Sequence, residues 1–455
     1  MAESVVTTAG EPALQDWGEV FSFRPERVLR PTSLDELKAL LERVHRGELG
    51  GGPIRVPGSL HSCAQIVVSE TLLDVSALPQ RIDVEPDGSA VVATANVRLH
   101  DFLAELSRHG KSVTATGGTD AQTLAGLIST ATAPASARNS LYALLDWVEL
   151  VTIDAATGRA VERRIARGEP DFDAVICSLG ALGVLTRVRF RTVDERHFRV
   201  VMKKVHLRDV LTDLEATSAR YDFWRVNWLP RSQTALLWAA TEIPASESDP
   251  DGDYDTDEAE HVLDFVFRVL DKLGDTGPLL NRWIEGLYDG MALVYGTHEF
   301  TGPLRTMLPV DRRAPLHVSM AEWSFRPTDL PRVMGECEEY FERHGWPNIP
   351  TEIELSQTHD ALMSPWNWPG LDFVVKLNFM YLMEVCTKAG EKERMVEHLR
   401  GLWNHLTAAG IDFKAHWGKV NFIDPAFAAR QHELAAFRPL MSPLFVNPYL
   451  RERLG

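Results

Sequence analysis

"RVPGSLHSCAQIVVSE", residues 55–70, sets a histidine in a turn between two apolar runs, with Pro57 and Gly58 before it and Ser62 after it. Turns draw on Gly, Pro, Asn, Asp and Ser, each for a conformational reason. None of those reasons accounts for His61. Taken alone, it reads as a turn histidine bonding a neighbouring carbonyl; the alternative is an imidazole held out to meet a ligand. The residues around the turn decide between the two.

Working outward, residues 54–57 and 66–75 read as short buried strands flanking the turn. Upstream, "TSLDELKALLERV" (32–44) has Ser33 and Glu36 at capping-box spacing, with Leu34, Leu37, Leu41 and Val44 on one helical face. Downstream, "AVVATANV" (90–97) is a strand and "VRLHDFLAELSRHG" (97–110) a helix stopped by Gly110. "WVELVTIDAATGRAV" reads as two strands joined by a turn. Residues 184–193 alternate Val188 and Phe190 against Arg187, Arg189 and Arg191, the signature of a half-buried strand. Residues 1–195 thus read as one α+β unit. From about residue 196 longer strand candidates appear, among them "FRVVMKKVHL", "DFWRVNWLP", "QTALLWAATEI", "HVSMAEWSF", "TEIELSQ" and "FVVKLNFMYL". Helices near 208–220, 259–273, 328–344 and 391–409 alternate with them, which suggests an antiparallel sheet covered by helices over 196–414. Residues 415–455 return to short motifs.

The chain has 455 residues, 45% hydrophobic and 24% charged, enough for two domains. A net charge of −17 argues against nucleic acid and against docking on an anionic membrane. Cys63, Cys177, Cys337 and Cys386 have neither disulfide-motif nor zinc spacing, so no metal is expected. The start of the chain lacks the pattern of a signal peptide, and no apolar run approaches the roughly 20 residues of a spanning helix. These features predict a cytoplasmic protein. The acidic stretch "SESDPDGDYDTDEAE" (246–260) places Tyr254 where a calcium loop needs Gly, and reads as a solvated loop.

Three segments of the first unit are rich in small residues: "VPGSLHS" (56–62), "TGGTDAQTLAGLISTATAPAS" (116–136) and "SLGALGVLT" (178–186). Glycine permits close backbone approach, and rows of turn N–H groups suit pyrophosphate oxygens. None is a Rossmann fingerprint or a P-loop.

In order and spacing these segments resemble those of the vanillyl-alcohol-oxidase-type (PCMH-type) FAD flavoproteins, closest to the aldonolactone and alditol oxidase branch. That family's loops take the forms G-x-x-H-S, Q-[ST]-[IVL]-A-G-x-I-[SA]-T-[AG]-T-H-G and S-L-G-x-L-G-V-[IVL]-T. Here they correspond to Gly58–Ser62, Gln122–Thr132 and Ser178–Thr186. "FWRVNWLP" (223–230) is similar to its aromatic strand, "AHWGKVNF" (415–422) to its H-W-[GA]-K motif, and "PLFVNPYL" (443–450) to its closing F-x-N-x-Y-L. The resemblance implies a two-domain PCMH-type fold, with residues 1–195 and 415–455 holding FAD and 196–414 holding substrate. It implies FAD contacts from Pro57, Gly58, Ser59, Leu60, His61, Ser62, Gly117, Gly118, Gln122, Thr123, Gly126, Ser129, Thr130, Gly180, Gly183, Val184 and Lys419. His61 would carry the flavin covalently, answering the question of the turn; Ala121 stands where a second, cysteine link would be. Gly117, without a Cβ, would leave an oxygen path open.

Lys419 would polarise flavin and substrate, and Glu352 would face the substrate. Relatives have E-[IV]-R at this point, whereas this chain has Glu354 in place of the Arg. On a strand the two carboxylates share a face, where each raises the other's pKa; otherwise the face is merely solvated. Thr132–Ser136 also departs from the family's His-Gly continuation, Gln65 from its Asp, and Gly118 from its hydroxyl residue. The expected reaction is oxidation of a CH–OH group of a polyol, sugar or aldonolactone-like small molecule. The alternatives are a reductase of a carbon–carbon double bond in a lipid, which the amphipathic run 260–287 could admit, and a catalytically silent flavoprotein subunit.

Overall fold

The computed structural model describes residues 5–7, 13–50, 52–228, 233–252, 298–307, 317–347, 349–383 and 390–455. The acidic stretch from residue 253 onward, the helix expected at 259–273, the run 260–287 and Cys386 lie outside the described residues.

A small sheet near the chain start joins Arg27–Leu29, Thr71–Leu73 and Ile54–Arg55 in parallel, with Val5–Thr7 antiparallel at its edge. The parallel crossover is the helix Leu34–His45. Its first turn is closed in part as the spacing predicts: Ser33 Oγ accepts from the Glu36 amide, but the Glu36 carboxylate accepts from the Thr32 amide at 2.8 Å, one residue before the cap. Leu37, Leu40, Leu41 and Val44 form the buried stripe, with Leu40 taking the place expected for Leu34. The strand expected over 66–75 is a single 3₁₀ turn at Gln65–Val67 followed by the short strand Thr71–Leu73. The reason is tertiary. Asn447 Nδ2, from the far end of the chain, donates to the carbonyls of Gln65, Ile66 and Val68, which a sheet ladder would otherwise use.

An antiparallel sheet of five strands follows, in the order Ala160–Ala166, Leu145–Ile153, Val184–Arg191, Ala90–Thr94, Ile82–Val84. Val188 and Phe190 face the core, while Arg187 reaches Glu149 and Arg189 reaches Glu85 on the outer face. The helix Leu99–Arg108 buries Leu99, Phe102, Leu103 and Leu106 beneath it.

The second sheet has eight antiparallel strands: His298–Pro303, His197–His206, Thr234–Ile243, Phe223–Trp228, Thr351–Gln357, Phe373–Leu382, Val318–Phe325 and Lys414–Ala415. Side chains alternate between faces with period two. One face carries Val226, Ile353, Leu355, Leu377, Phe379, Trp323 and Phe325, all buried. The helices Leu330–His344 and Glu391–Ala408 cover it. Between ring centroids, Phe341 lies 6.0 Å from Phe379 and Trp403 lies 5.5 Å from Trp323. The opposite face presents Arg225, Glu352, Glu354, Ser356, Lys376, Asn378, Glu322 and Ser324.

This polar face turns towards the first unit. The Gln357 amide donates to Ser136 O and the Trp224 amide to Ala135 O, both at 2.9 Å. Trp366 Nε1 donates to Ala131 O at 2.7 Å. The segment that departs from the family's His-Gly pair is therefore the strap between the two sheets. Among the described residues no helix is long and apolar enough to cross a membrane.

Candidate active site

The His61 turn is held from several sides. Leu60 takes a φ of 57°, a conformation that costs a side-chain-bearing residue energy and persists only when its surroundings enforce it. Trp17 supplies one restraint: its amide donates to Leu60 O at 2.9 Å, and its indole stacks on the His61 imidazole at 5.4 Å. Ser59 Oγ donates to Ala121 O at 2.6 Å. A Cβ on Gly58 would stand 2.9 Å from Thr123 Oγ1, so close packing of the first and second loops requires glycine there. Thr123 Oγ1 accepts from the Gly126 amide at 3.1 Å and starts the short helix Leu124–Ser129.

In the third loop Cys177, Leu179 and Gly180 take φ of 64°, 55° and 66°. Arg55 binds that strained backbone. Its buried guanidinium donates to the carbonyls of Leu179, Gly180 and Phe445, joining the first loop to the third and to the closing segment. Burial lowers its pKa to about 10.

These loops enclose a cavity of about 420 Å³. Pro57, Gly58, Ser59, Leu60, His61, Ser62, Gln122, Thr123, Gly126, Ser129, Thr130, Gly180, Gly183 and Val184 line it, together with Arg55, Asn96 and Arg98, which sequence reasoning missed. Gly117, Gly118 and Lys419 lie off its wall. At Gly117 an added Cβ would lie 2.3 Å from Thr132 Cγ2, so the missing side chain makes room for a threonine methyl. A dinucleotide fits the wall. Arg55 Nε and Gln122 Oε1 are buried without a hydrogen-bond partner among the described residues, a donor and an acceptor on two residues that line a chamber rich in small side chains.

The segment His416–Lys419 ties this chamber to the polar face of the large sheet. The Cys63 amide donates to Gly418 O, and the His416 amide to Glu322 O, both at 2.8 Å. His416 Nδ1 accepts from the Gly418 amide at 3.0 Å, which leaves the ring proton on Nε2. Burial, with Lys419 and Lys376 nearby, lowers its pKa to about 4, so the ring is neutral. Lys419 is half-buried and close enough to act on the Cys63 thiol, whose pKa burial nonetheless raises.

Glu352 and Glu354 share the polar face, and both are buried, so the solvated reading of that face does not hold. Asn378 Nδ2 donates to Glu352 at 3.0 Å and to Glu354 at 3.4 Å. Arg225 approaches Glu352 at 3.2 Å and Lys376 approaches Glu354 at 2.8 Å. The two carboxyls diverge in consequence. Burial, helped by the Glu354 charge and opposed by Arg225, raises the Glu352 pKa to about 7. Burial works against Glu354, but Lys376, the hydrogen bond shared with Glu352 and the Arg225 charge together outweigh it and hold that carboxyl below its ordinary range. Ser356 Oγ and Asn378 Oδ1 are buried on the same face with no hydrogen-bond partner among the described residues. Arg225, Lys376 and Asn378 escaped sequence reasoning because each stands between apolar neighbours in its strand; the period-two face they share was the available signal.

The D-arabinono-1,4-lactone oxidase family matches residues 188–427, and an FAD-binding domain family matches residues 25–162. The cofactor is FAD. A long-chain alcohol oxidase from an uncultured marine euryarchaeote is 34% identical over 221 residues, 47% of this chain and 44% of that protein. A D-arabinono-1,4-lactone oxidase from Yarrowia lipolytica is 27% identical over 241 residues, 51% of this chain and 45% of that one. The chain thus spans less than half the length of these two relatives. An L-gulonolactone oxidase from Mus musculus is 22% identical over 359 residues, 77% of this chain and 78% of its own. The fold is that of the cholesterol oxidase from Brevibacterium sterolicum, with a TM-score of 0.77 at 15% identity over 99% of this chain and 97% of that one. The reductase alternative has no counterpart among these relatives.

Proposed function

The chain belongs to the D-arabinono-1,4-lactone oxidase family, and we propose that it oxidises a CH–OH group of a polyol, sugar or aldonolactone-like small molecule. The observation that carries this reading is the buried carboxylate pair, joined through His416–Lys419 to the His61 turn. FAD, when bound, supplies a two-electron acceptor for the hydride that leaves the substrate carbon.

The chain's residues do the rest. Loss of a hydride from CH–OH leaves the hydroxyl proton to be taken, and Glu352, ionised above about pH 7, is the base placed for it. Glu354, paired with Lys376, is a fixed anion that tunes what binds. Lys419 carries the positive charge next to the first loop, where negative charge would develop. The unmet Ser356 Oγ and Asn378 Oδ1 favour a hydroxyl-rich substrate over a bare hydrocarbon. We further assign residues 1–195 and 415–455 to FAD and 196–414 to substrate, covalent attachment to His61, and a cytoplasmic setting. The attachment is supported by the imidazole's place on the cavity wall, the setting by the buried free thiols of Cys63, Cys177 and Cys337.

The test is anaerobic bleaching of the flavin by a panel of polyols, sugars, aldonolactones and long-chain alcohols, with NADPH as the reductive control. Bleaching by a hydroxylated small molecule is expected. Bleaching by NADPH alone, or by no alcohol at all in FAD-loaded protein, overturns the reading.

A further inference from the structure

Lys376 is a lysine in the middle of an apolar strand, 2% exposed. Across the strand pair it stands opposite Glu354, with Nζ 2.8 Å from that carboxylate and 3.6 Å from Glu322. The ammonium also lies over the Trp366 ring at 5.2 Å. A buried ammonium is costly without such partners.

We propose that Lys376 is a positioning residue: from the neighbouring strand it pairs with Glu354, making that carboxylate the fixed anion and leaving Glu352 to take the substrate proton. This rests on the reading that the polar face receives the substrate. The charged and titratable groups facing Glu352 are Arg225 from Phe223–Trp228, Glu354 on its own strand, Lys376 from Phe373–Leu382 and Glu322 from Val318–Phe325. His416 and Lys419 lie on the crossing segment. Without Lys376, Glu354 would sit on a buried face with two other carboxylates, and its remaining cation would be Arg225, which lies opposite it in the register but pairs with Glu352 at 3.2 Å. The proton of the pair would move to Glu354, and Glu352, still held by Arg225, would ionise at lower pH.

The experiment is a double-mutant cycle read by the pH dependence of kcat/KM. In Lys376→Met the rising limb is expected at lower pH by about 1 unit or more, the usual scale for gain or loss of an adjacent charge. Adding Glu354→Gln should shift the limb in the wild-type background and leave it in place in Lys376→Met, where Glu354 is already neutral. Lys376→Arg should keep the wild-type limb. An unmoved limb in Lys376→Met, or equal Glu354→Gln shifts in both backgrounds, overturns the proposal.

Denaturant unfolding of the FAD-loaded protein at about pH 5 and about pH 8 decides the matter without turnover. Glu352→Gln should change the pH response of the wild-type background and not that of Lys376→Met; a change in both overturns the proposal. Should Lys376→Met fail to fold, the charge-free pair Glu354→Gln/Lys376→Met serves as the background, since removing both partners strands neither charge. An enzyme that no alcohol reduces would sink the proposed function, while the unfolding comparison would still decide the role of Lys376.

Discussion

Replacing Glu352 by glutamine should make the protein's stability less sensitive to alkali. The Glu352 carboxyl is buried, and its pKa moves from an ordinary 4.5 to about 7 in the fold. A raised acid pKa contributes stability that is fully present below the unfolded value and is lost as pH rises through the folded value. The window is therefore pH 4.5 to about 7. At about 1.4 kcal/mol for each tenfold change in proton affinity, the loss comes to about 3 kcal/mol. The carboxamide of Glu352→Gln would stay neutral throughout and keep an oxygen for the Asn378 amide that now donates to Glu352 at 3.0 Å. Denaturant titrations of the two FAD-loaded proteins at about pH 5 and about pH 8 should show the variant gaining roughly 2–3 kcal/mol over wild type across that interval. An equal gap at both pH values would mean that the carboxyl is not held neutral by the fold, and that Glu352 is not the titrating base.

Three further substitutions probe the site and its supports. His61→Ala should release the flavin into the supernatant on acid precipitation, whereas wild-type protein should keep its colour in the pellet; equal release from both would exclude a covalent link. Gly117→Ala should cost about 1–3 kcal/mol through overpacking against Thr132, and Thr132→Ala should recover most of it in the double variant, as read by thermal unfolding. Asn447→Ala removes a helix cap and three bonds to the turn after His61, so a loss of about 2–4 kcal/mol is expected, together with a lower flavin content per chain read by absorbance.

Local signals carried much of the architecture. The helix cap at Ser33, the alternation of Val188 and Phe190 with arginines, and strands such as Thr351–Gln357 and Phe373–Leu382 are written in nearest-neighbour chemistry, and the fold keeps them. The small-residue loops and the placement of Glu352 beside Glu354 were legible for the same reason: period and composition are properties of a short window. The stretch 66–75 misled because its backbone bonds go to Asn447, 379 residues or more away along the chain. The packing at Gly117 was not legible because the methyl that fills its missing side chain belongs to Thr132, beyond the helix Leu124–Ser129.

By itself, then, the sequence determined the elements, the two-faced pattern of the large sheet and the loops around the cofactor cavity. Only the tertiary structure decided which charges meet. Lys376 reads as an oddity in an apolar strand until the strand register sets it opposite Glu354, and Arg55 until three loops fold over it. Register and loop closure are long-range: they depend on the whole core finding one packing. The protonation of a buried carboxyl pair follows from that packing and not from its own few residues.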